Sequence, residues 1–153
     1  LEELGDFEHA RGHFLETLRL DSIASAERDA AELEQVLDAT LEHLRRTVEE
    51  LPLAWRTRLE GVPLLVQRLP SEDMVQTGLD PRAFGLFEGP MHADTEGLGG
   101  APLLTRIVLF AENLALDFPD PEDFEEQVRI TVLHELGHYF GLDEDDMVRL
   151  GLD

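Results

Sequence analysis

Two histidines and a glutamate near the C-terminal end of the chain have the spacing of a metal site. His134 and His138 are four residues apart, and Glu135 directly follows the first histidine. On a helix, residues i and i+4 lie on the same face, so the two imidazoles can share one metal ion. Glu135 would lie about 100° round the helix from His134, within reach of a metal-bound water. The pattern predicts a zinc site with Zn2+ as cofactor, His134 and His138 as ligands and Glu135 as general base.

A catalytic zinc site needs a third protein ligand, and the chain has no cysteine to supply one. If Gly141 turns the chain back after the helix, Glu144, ten residues after His134, is placed to complete the site. Asp143 and Asp145 flank this glutamate, and a shift of one residue in the turn would substitute either. We expect Glu144 to be the third ligand, with Asp143 and Asp145 as the alternatives.

The residues around the motif predict a helix with clear ends. Asp120 can cap its start, Pro121 suits its first position, and Gly141 can end it in a left-handed conformation. Gly137, inside the helix, predicts close approach of another backbone or a ligand. One expected buried side consists of Phe124, Val128, Leu133, Leu136 and Phe140. A second stripe, expected to face a cleft, consists of Gln127, Thr131, His134 and His138.

Three helices are predicted before the first strand, the third being a short one that begins at Pro52 and ends near Gly61. Apolar residues recur every three or four positions in residues 4–20, which is typical of an amphipathic helix. A break is expected at Asp21 and Ser22, after which a second helical pattern continues to about Glu50. Ser22 or Ser25 would cap this second helix.

Three apolar runs predict strands at residues 62–69, 84–88 and 104–110. Pro63 has no backbone N–H to donate, so the first strand is expected near an edge of the sheet. A loop rich in glycine and proline, at residues 89–102, follows the second strand and could border a site. His92 in that loop could approach a substrate, although an exposed surface position is the other interpretation.

The first helix resembles the second half of a tetratricopeptide repeat. The matching positions are Gly5, Asp6, Phe7, Ala10, Phe14, Leu18 and Asp21. The resemblance implies two units: residues 1–22 as the possible end of an upstream repeat array, with a protein partner bound through those repeats, and residues 23–153 as the catalytic domain. An ordinary packing helix is the alternative. His9 and His13 in this helix are expected at the surface, where their spacing could hold adventitious metal.

Residues 29–153 resemble the minimal zincin-like metallopeptidase domain of bacteria, a compact relative of the metzincins. The segments that carry the resemblance are FGLFEGP at 84–90, TRIVLF at 105–110 and EEQVRITVLHELGHYFGLDEDDMVRLGL at 125–152. It implies an α+β fold, with N-terminal helices followed by a small mixed sheet packed on the active-site helix. It also implies His134 and His138 as ligands and Glu135 as base. Glu144 departs from the family pattern, which generally has aspartate there.

The composition limits the classes of partner. The chain has 34 acidic residues against 12 basic ones, all arginine, for a net charge of −22. Such a charge repels phosphate backbones and anionic lipids, so neither nucleic acid nor a membrane is expected as a partner. No apolar run approaches the roughly 20 residues of a membrane helix. A cytoplasmic location is the default, although a targeting signal could precede Leu1.

Three functions are compatible with these features. The first is a zinc-dependent metallopeptidase that acts on a peptide or protein substrate, with Glu135 activating the water. The second is a repeat-associated protein-binding module with a vestigial or non-proteolytic zinc site. The third is a zinc hydrolase of another small substrate, which the residues alone do not separate from the first.

Overall fold

Helices make up most of the protein, and a small sheet lies among them. The structure is a computed structural model that describes residues 2–89 and 105–150, without the side chains of residues 2–5, Glu144, Met147 and Leu150. In order, its elements are α1 Glu2–Ala26, α2 Ala30–Glu49, α3 Leu53–Arg58, β1 Leu64–Gln67, α4 Glu72–Gln76, β2 Gly85–Glu88, β3 Arg106–Phe110, α5 Ala111–Asp117, α6 Pro121–Tyr139 and α7 Glu144–Leu150. The predicted α+β fold is confirmed. In the part of the chain that the structure describes, no helix is both long and apolar enough to cross a membrane.

The break predicted at Asp21 and Ser22 is wrong, because α1 continues through both residues to Ala26. Neither residue interrupts a helix as glycine or proline would. The predicted serine caps are wrong too: Asp29 caps α2, where its side chain accepts a hydrogen bond from the N–H of Ala31. Whether residues 1–22 form a unit of their own stays a prediction.

Ser25 contributes to tertiary structure instead of capping a helix. Its hydroxyl is buried and donates to the Oε2 atom of Glu112, a buried carboxylate on α5, at 2.9 Å. Arg68 and Arg28 lie 3.4 and 3.7 Å from the same carboxylate. A buried charge needs such partners, and these join the C-terminal end of α1 to the domain that carries the motif.

The three strands form a mixed sheet in the order β1-β3-β2. β1 pairs with β3 in parallel and β2 pairs with β3 in antiparallel orientation. β1 is an edge strand, as Pro63 predicted. The central strand, β3, is the most buried one, since Ile107, Val108, Leu109 and Phe110 are at most 1 % exposed. Each predicted strand is present but shorter than expected, and residue 104 lies outside the described part of the chain.

Helix α6, which carries the motif, packs against α2 on one side and against β2 and β3 on the other. Its buried side includes Val128, Val132 and Leu136, all 0 % exposed. Burial of each such side chain contributes about 1.5–3 kcal/mol relative to leaving it in water. The predicted buried side is confirmed at Phe124, Val128, Leu133 and Leu136, whereas Phe140 is only partly buried. The helix is therefore held on two sides, and Thr131 of the second stripe is buried as well.

Candidate active site

Both ends of α6 are determined by local hydrogen bonds. The Asp120 carboxylate accepts from two backbone N–H groups of the first turn, at 2.9 and 3.3 Å. At the other end, Gly141 has φ 77° and donates its N–H to the His138 carbonyl at 3.0 Å. Leu142 donates to the Gly137 carbonyl at 2.9 Å, which completes a Schellman motif. The turn that carries His138 is thus closed by hydrogen bonds to its own carbonyls.

The structure brings the two predicted histidine ligands together. The Nε2 atoms of His134 and His138 are 3.0 Å apart, and their ring centroids are 4.6 Å apart with an interplanar angle of 85°. Two nitrogen ligands of a tetrahedral zinc ion, each 2.0–2.1 Å from the metal, lie roughly 3.3 Å from each other. The separation in the protein is within a few tenths of an ångström of that value. The pair therefore fits zinc, and both rings are partly exposed.

Glu135 lies beside this pair and is largely buried. Burial raises the pKa of its carboxyl group, while the nearby His138 and a hydrogen bond from the backbone N–H of Phe87 act in the opposite direction. A raised pKa makes the carboxylate a better proton acceptor at neutral pH. A raised pKa is compatible with Glu135 as general base, a role that stays a prediction.

The hydrogen bond to Glu135 comes from the side of strand β2 that faces away from β3. In an antiparallel pair, residues with ladder hydrogen bonds alternate with residues that have none. The Phe110 N–H donates to the Phe84 carbonyl at 2.9 Å, so Phe87, three residues further along β2, directs its N–H away from β3. Strand β2 therefore presents the Phe87 N–H to the motif helix.

A glycine allows β2 to approach α6 this closely. A Cβ atom added at Gly85 would lie 2.9 Å from the Cγ2 methyl of Thr131, which is one helical turn before Glu135. The sequence predicts no role for Gly85, although a glycine inside a strand is a known sign of close backbone approach. The glycine for which a close contact is predicted, Gly137, is buried, and that contact stays a prediction.

Comparison with known families gives a match that includes the residues of the motif. The sequence model of the family described as zincin-like metallopeptidase matches residues 59–152, more than half of the chain. The chain belongs to this family. The matched residues include the whole sheet, the motif helix and the turn after it, but they begin after α2, later than the expected start near residue 29. A comparison with curated proteins gives no match. Membership of the zincin-like family supports, in general terms, the function of a zinc-dependent peptidase.

The third ligand of a zincin-like site is expected in the turn after α6. Asp143 and Asp146 exchange hydrogen bonds there: the Asp143 carboxylate accepts from the Asp146 N–H at 2.8 Å, and the Asp146 carboxylate accepts from the Asp143 N–H at 3.3 Å. The Asp143 side chain is thus engaged in capping α7. Asp145 is exposed. α7 begins at Glu144, whose side chain lies outside the described part of the structure, so its role as ligand stays a prediction.

The described side chains contain no group of three or more histidines and acids that could hold a metal ion. The described side chains include those of Glu135, Asp143 and Asp145 but not that of Glu144. The predicted loop at residues 89–102 lies outside the described residues after Gly89, and so does His92.

Tyr139, the only tyrosine of this zincin-like domain, belongs to the core. Its side chain is 5 % exposed, and its hydroxyl donates to the Arg58 carbonyl of α3 at 3.2 Å. Its ring contacts those of Phe87 and Phe140. The tyrosine therefore links the motif helix to α3, and its contact with Phe87 supports the segment that holds Glu135.

Proposed function

We propose that the protein hydrolyses peptide bonds of a peptide or protein substrate, with Glu135 as general base and with Zn2+ held by His134, His138 and Glu144. One observation carries this proposal: two histidine nitrogens converge at 3.0 Å beside a carboxylate whose pKa is raised by burial. A catalytic zinc site combines such ligands with a general base that does not itself bind the metal.

The roles of the zinc ion and of Glu135 follow from their chemistry. A bound zinc ion would lower the pKa of a water molecule to about 7 and polarise the carbonyl group to be cleaved. Glu135 accepts the proton of the attacking water and delivers it to the nitrogen of the leaving amine. The hydrogen bond from Phe87 holds the carboxylate in place before substrate arrives.

The variant Glu135→Gln tests the proposal, because glutamine retains an oxygen that can accept from Phe87 but cannot accept the water proton. Hydrolysis of a broad fluorogenic peptide library by zinc-loaded protein should fall by about 10²- to 10⁴-fold, the usual contribution of general acid-base catalysis. Zinc content, measured on the same samples, should stay the same.

The matched control is Glu125→Gln, an exposed glutamate on the same helix whose carboxylate lies 3.9 Å from Arg46 at the α2 interface. This variant should keep both its activity and its zinc. Full activity in Glu135→Gln would refute the assignment of the base.

A protein-binding function has one observation in its favour. Helix α1 leaves three large apolar side chains about half exposed: Phe7, Leu20 and Ile23. A partner that covers them would fit the tetratricopeptide-like sequence of this helix. If zinc-loaded protein cleaves nothing in the peptide library, binding becomes the better proposal.

A further inference from the structure

A second pair of histidines, on α1, has the same geometry as the pair in the active site. The Nε2 atoms of His9 and His13 are 3.1 Å apart, compared with 3.0 Å for His134 and His138. In both pairs the ring centroids are 4.6 Å apart and the rings are inclined at 85°. The two pairs differ mainly in exposure, because His9 and His13 are both exposed to solvent.

We propose that His9 and His13 form a second, surface site for a divalent transition-metal cation. Two neutral imidazoles whose Nε2 atoms face each other at this distance can direct both lone pairs at one cation. Imidazole nitrogen favours Zn2+, Ni2+ and Cu2+ over Mg2+ and Ca2+, which prefer oxygen ligands. The site would therefore select late transition metals even in a chain as rich in carboxylates as this one.

The neighbouring side chains indicate an open site with two protein ligands. Glu16, one turn beyond His13, is engaged by Arg19, which donates to its two carboxylate oxygens at 2.6 and 3.0 Å. Within the described side chains, no third histidine or acid joins the pair. Water would fill the remaining coordination positions. With fewer ligands, the site should bind its metal more weakly than the active site does.

The alternative explanation is a hydrogen bond between the two imidazoles, with a proton on one Nε2 atom and a lone pair on the other. Both explanations give a short distance between the nitrogens. Only the metal site predicts that binding depends on the helical spacing of the two rings. The proposal does not depend on the peptidase function, because α1 lies before the residues that match the zincin-like family.

The experiment is a calorimetric titration of the full chain with Zn2+ alone and with Ni2+ alone. To isolate the surface site, the titration is done on His134→Ala/His138→Ala, in which the active-site pair is removed. This background should retain one weak site.

Within this background, His13→Ala should weaken binding on the order of 100-fold, since the second imidazole acts intramolecularly at high effective concentration. The spacing control is Arg11→His/His13→Ala, which keeps two histidines on α1 but places them two residues apart, about 160° round the helix from each other. It should bind as weakly as His13→Ala, and circular dichroism should show the same helix content in all variants.

Separately, His9→Ala/His13→Ala in the otherwise unchanged chain should lose the weaker of two binding events and keep the stronger one. The proposal is overturned if the active-site variant binds neither metal, or if the spacing control binds as well as the original pair. Either result would leave the imidazole hydrogen bond as the explanation of the geometry.

Discussion

The substitution Gly85→Ala tests whether the close contact between β2 and α6 sets the position of Glu135. The added Cβ would lie 2.9 Å from Thr131 Cγ2 and 3.2 Å from both Leu109 Cδ2 and the Val108 carbonyl oxygen. The φ angle of Gly85 is not positive, so alanine meets no backbone strain there. Any cost of this substitution is therefore steric.

Two opposing effects decide the size of the change in stability. Alanine in place of glycine within a strand gains about 0.5–1 kcal/mol from the lower entropy of the unfolded chain. Overpacking of a well-packed site costs about 1–3 kcal/mol. Overpacking should prevail, because the Thr131 hydroxyl donates to the Gln127 carbonyl at 2.7 Å and its methyl group cannot rotate away without loss of that bond. We expect a net destabilisation of about 1–2 kcal/mol, or roughly 2–8 °C in the melting temperature of a domain of this size.

Displacement of β2 from α6 by this overpacking should also lower activity. β2 carries the Phe87 N–H that holds Glu135, and Thr131 is on the turn of α6 that precedes this residue. A misplacement of about 1 Å can cost on the order of 100-fold in rate, so a shift of a few tenths of an ångström should lower kcat by about tenfold. Zinc content should not change, because His134 and His138 lie on one rigid helix.

A double-mutant cycle with Thr131→Ser provides the control. Serine removes the Cγ2 methyl that the new Cβ would meet and keeps the hydroxyl that donates to Gln127. Thermal melts and peptide hydrolysis of both single variants and the double variant should show that Gly85→Ala is less harmful in the serine background, with a coupling of about 0.5–3 kcal/mol. An equal penalty in both backgrounds, or wild-type stability and kcat in Gly85→Ala, would refute the reasoning.

Three further predictions concern the site. Glu144→Ala should lower zinc content after dialysis, whereas Asp143→Ala should keep zinc and lose about 0.5–2 kcal/mol through the missing cap; equal zinc loss in both would contradict the choice of ligand. In metal-free protein at neutral pH, Glu135→Gln should melt at the same temperature as the wild type or higher, because burial, which raises the pKa of Glu135, makes its ionised form unfavourable in the fold; a clearly lower melting temperature would show that the carboxylate stabilises the fold. Gly141→Ala should cost about 1–2 kcal/mol in urea unfolding, since alanine disfavours φ 77°, and Gly141→Asn should cost less; equal effects of the two would argue against a left-handed cap.

The features that the sequence predicts correctly depend on residues close together in the chain. Asp120 and Gly141 delimit α6 through hydrogen bonds within one turn. His134 and His138 converge because any helix brings residues i and i+4 together. The strand at the edge of the sheet follows from the missing N–H of Pro63 alone. No knowledge of the tertiary structure is needed for any of them.

The features that the sequence does not predict depend on contacts between distant residues. Serine favours helix caps, which predicts Ser25 as one, but Glu112, 87 residues away, supplies a partner for its hydroxyl within a continuous helix. The role of Gly85 depends on the contact of β2 with Thr131, 46 residues later in the chain. In both cases, the deciding feature is a tertiary contact that periodicity does not indicate.

The same distinction applies within the candidate active site. The two histidines derive their geometry from α6, so changes that keep this helix intact should leave the predicted metal ligands in place. Glu135 is on the same helix, but its hydrogen-bond partner, Phe87, belongs to β2, whose close approach to α6 depends on Gly85. Metal binding and proton transfer should therefore be separable: substitutions in β2 should lower kcat at full zinc occupancy. Substitutions at the C-terminal end of α6, such as Gly141→Ala, should affect zinc binding through His138 before they affect Glu135.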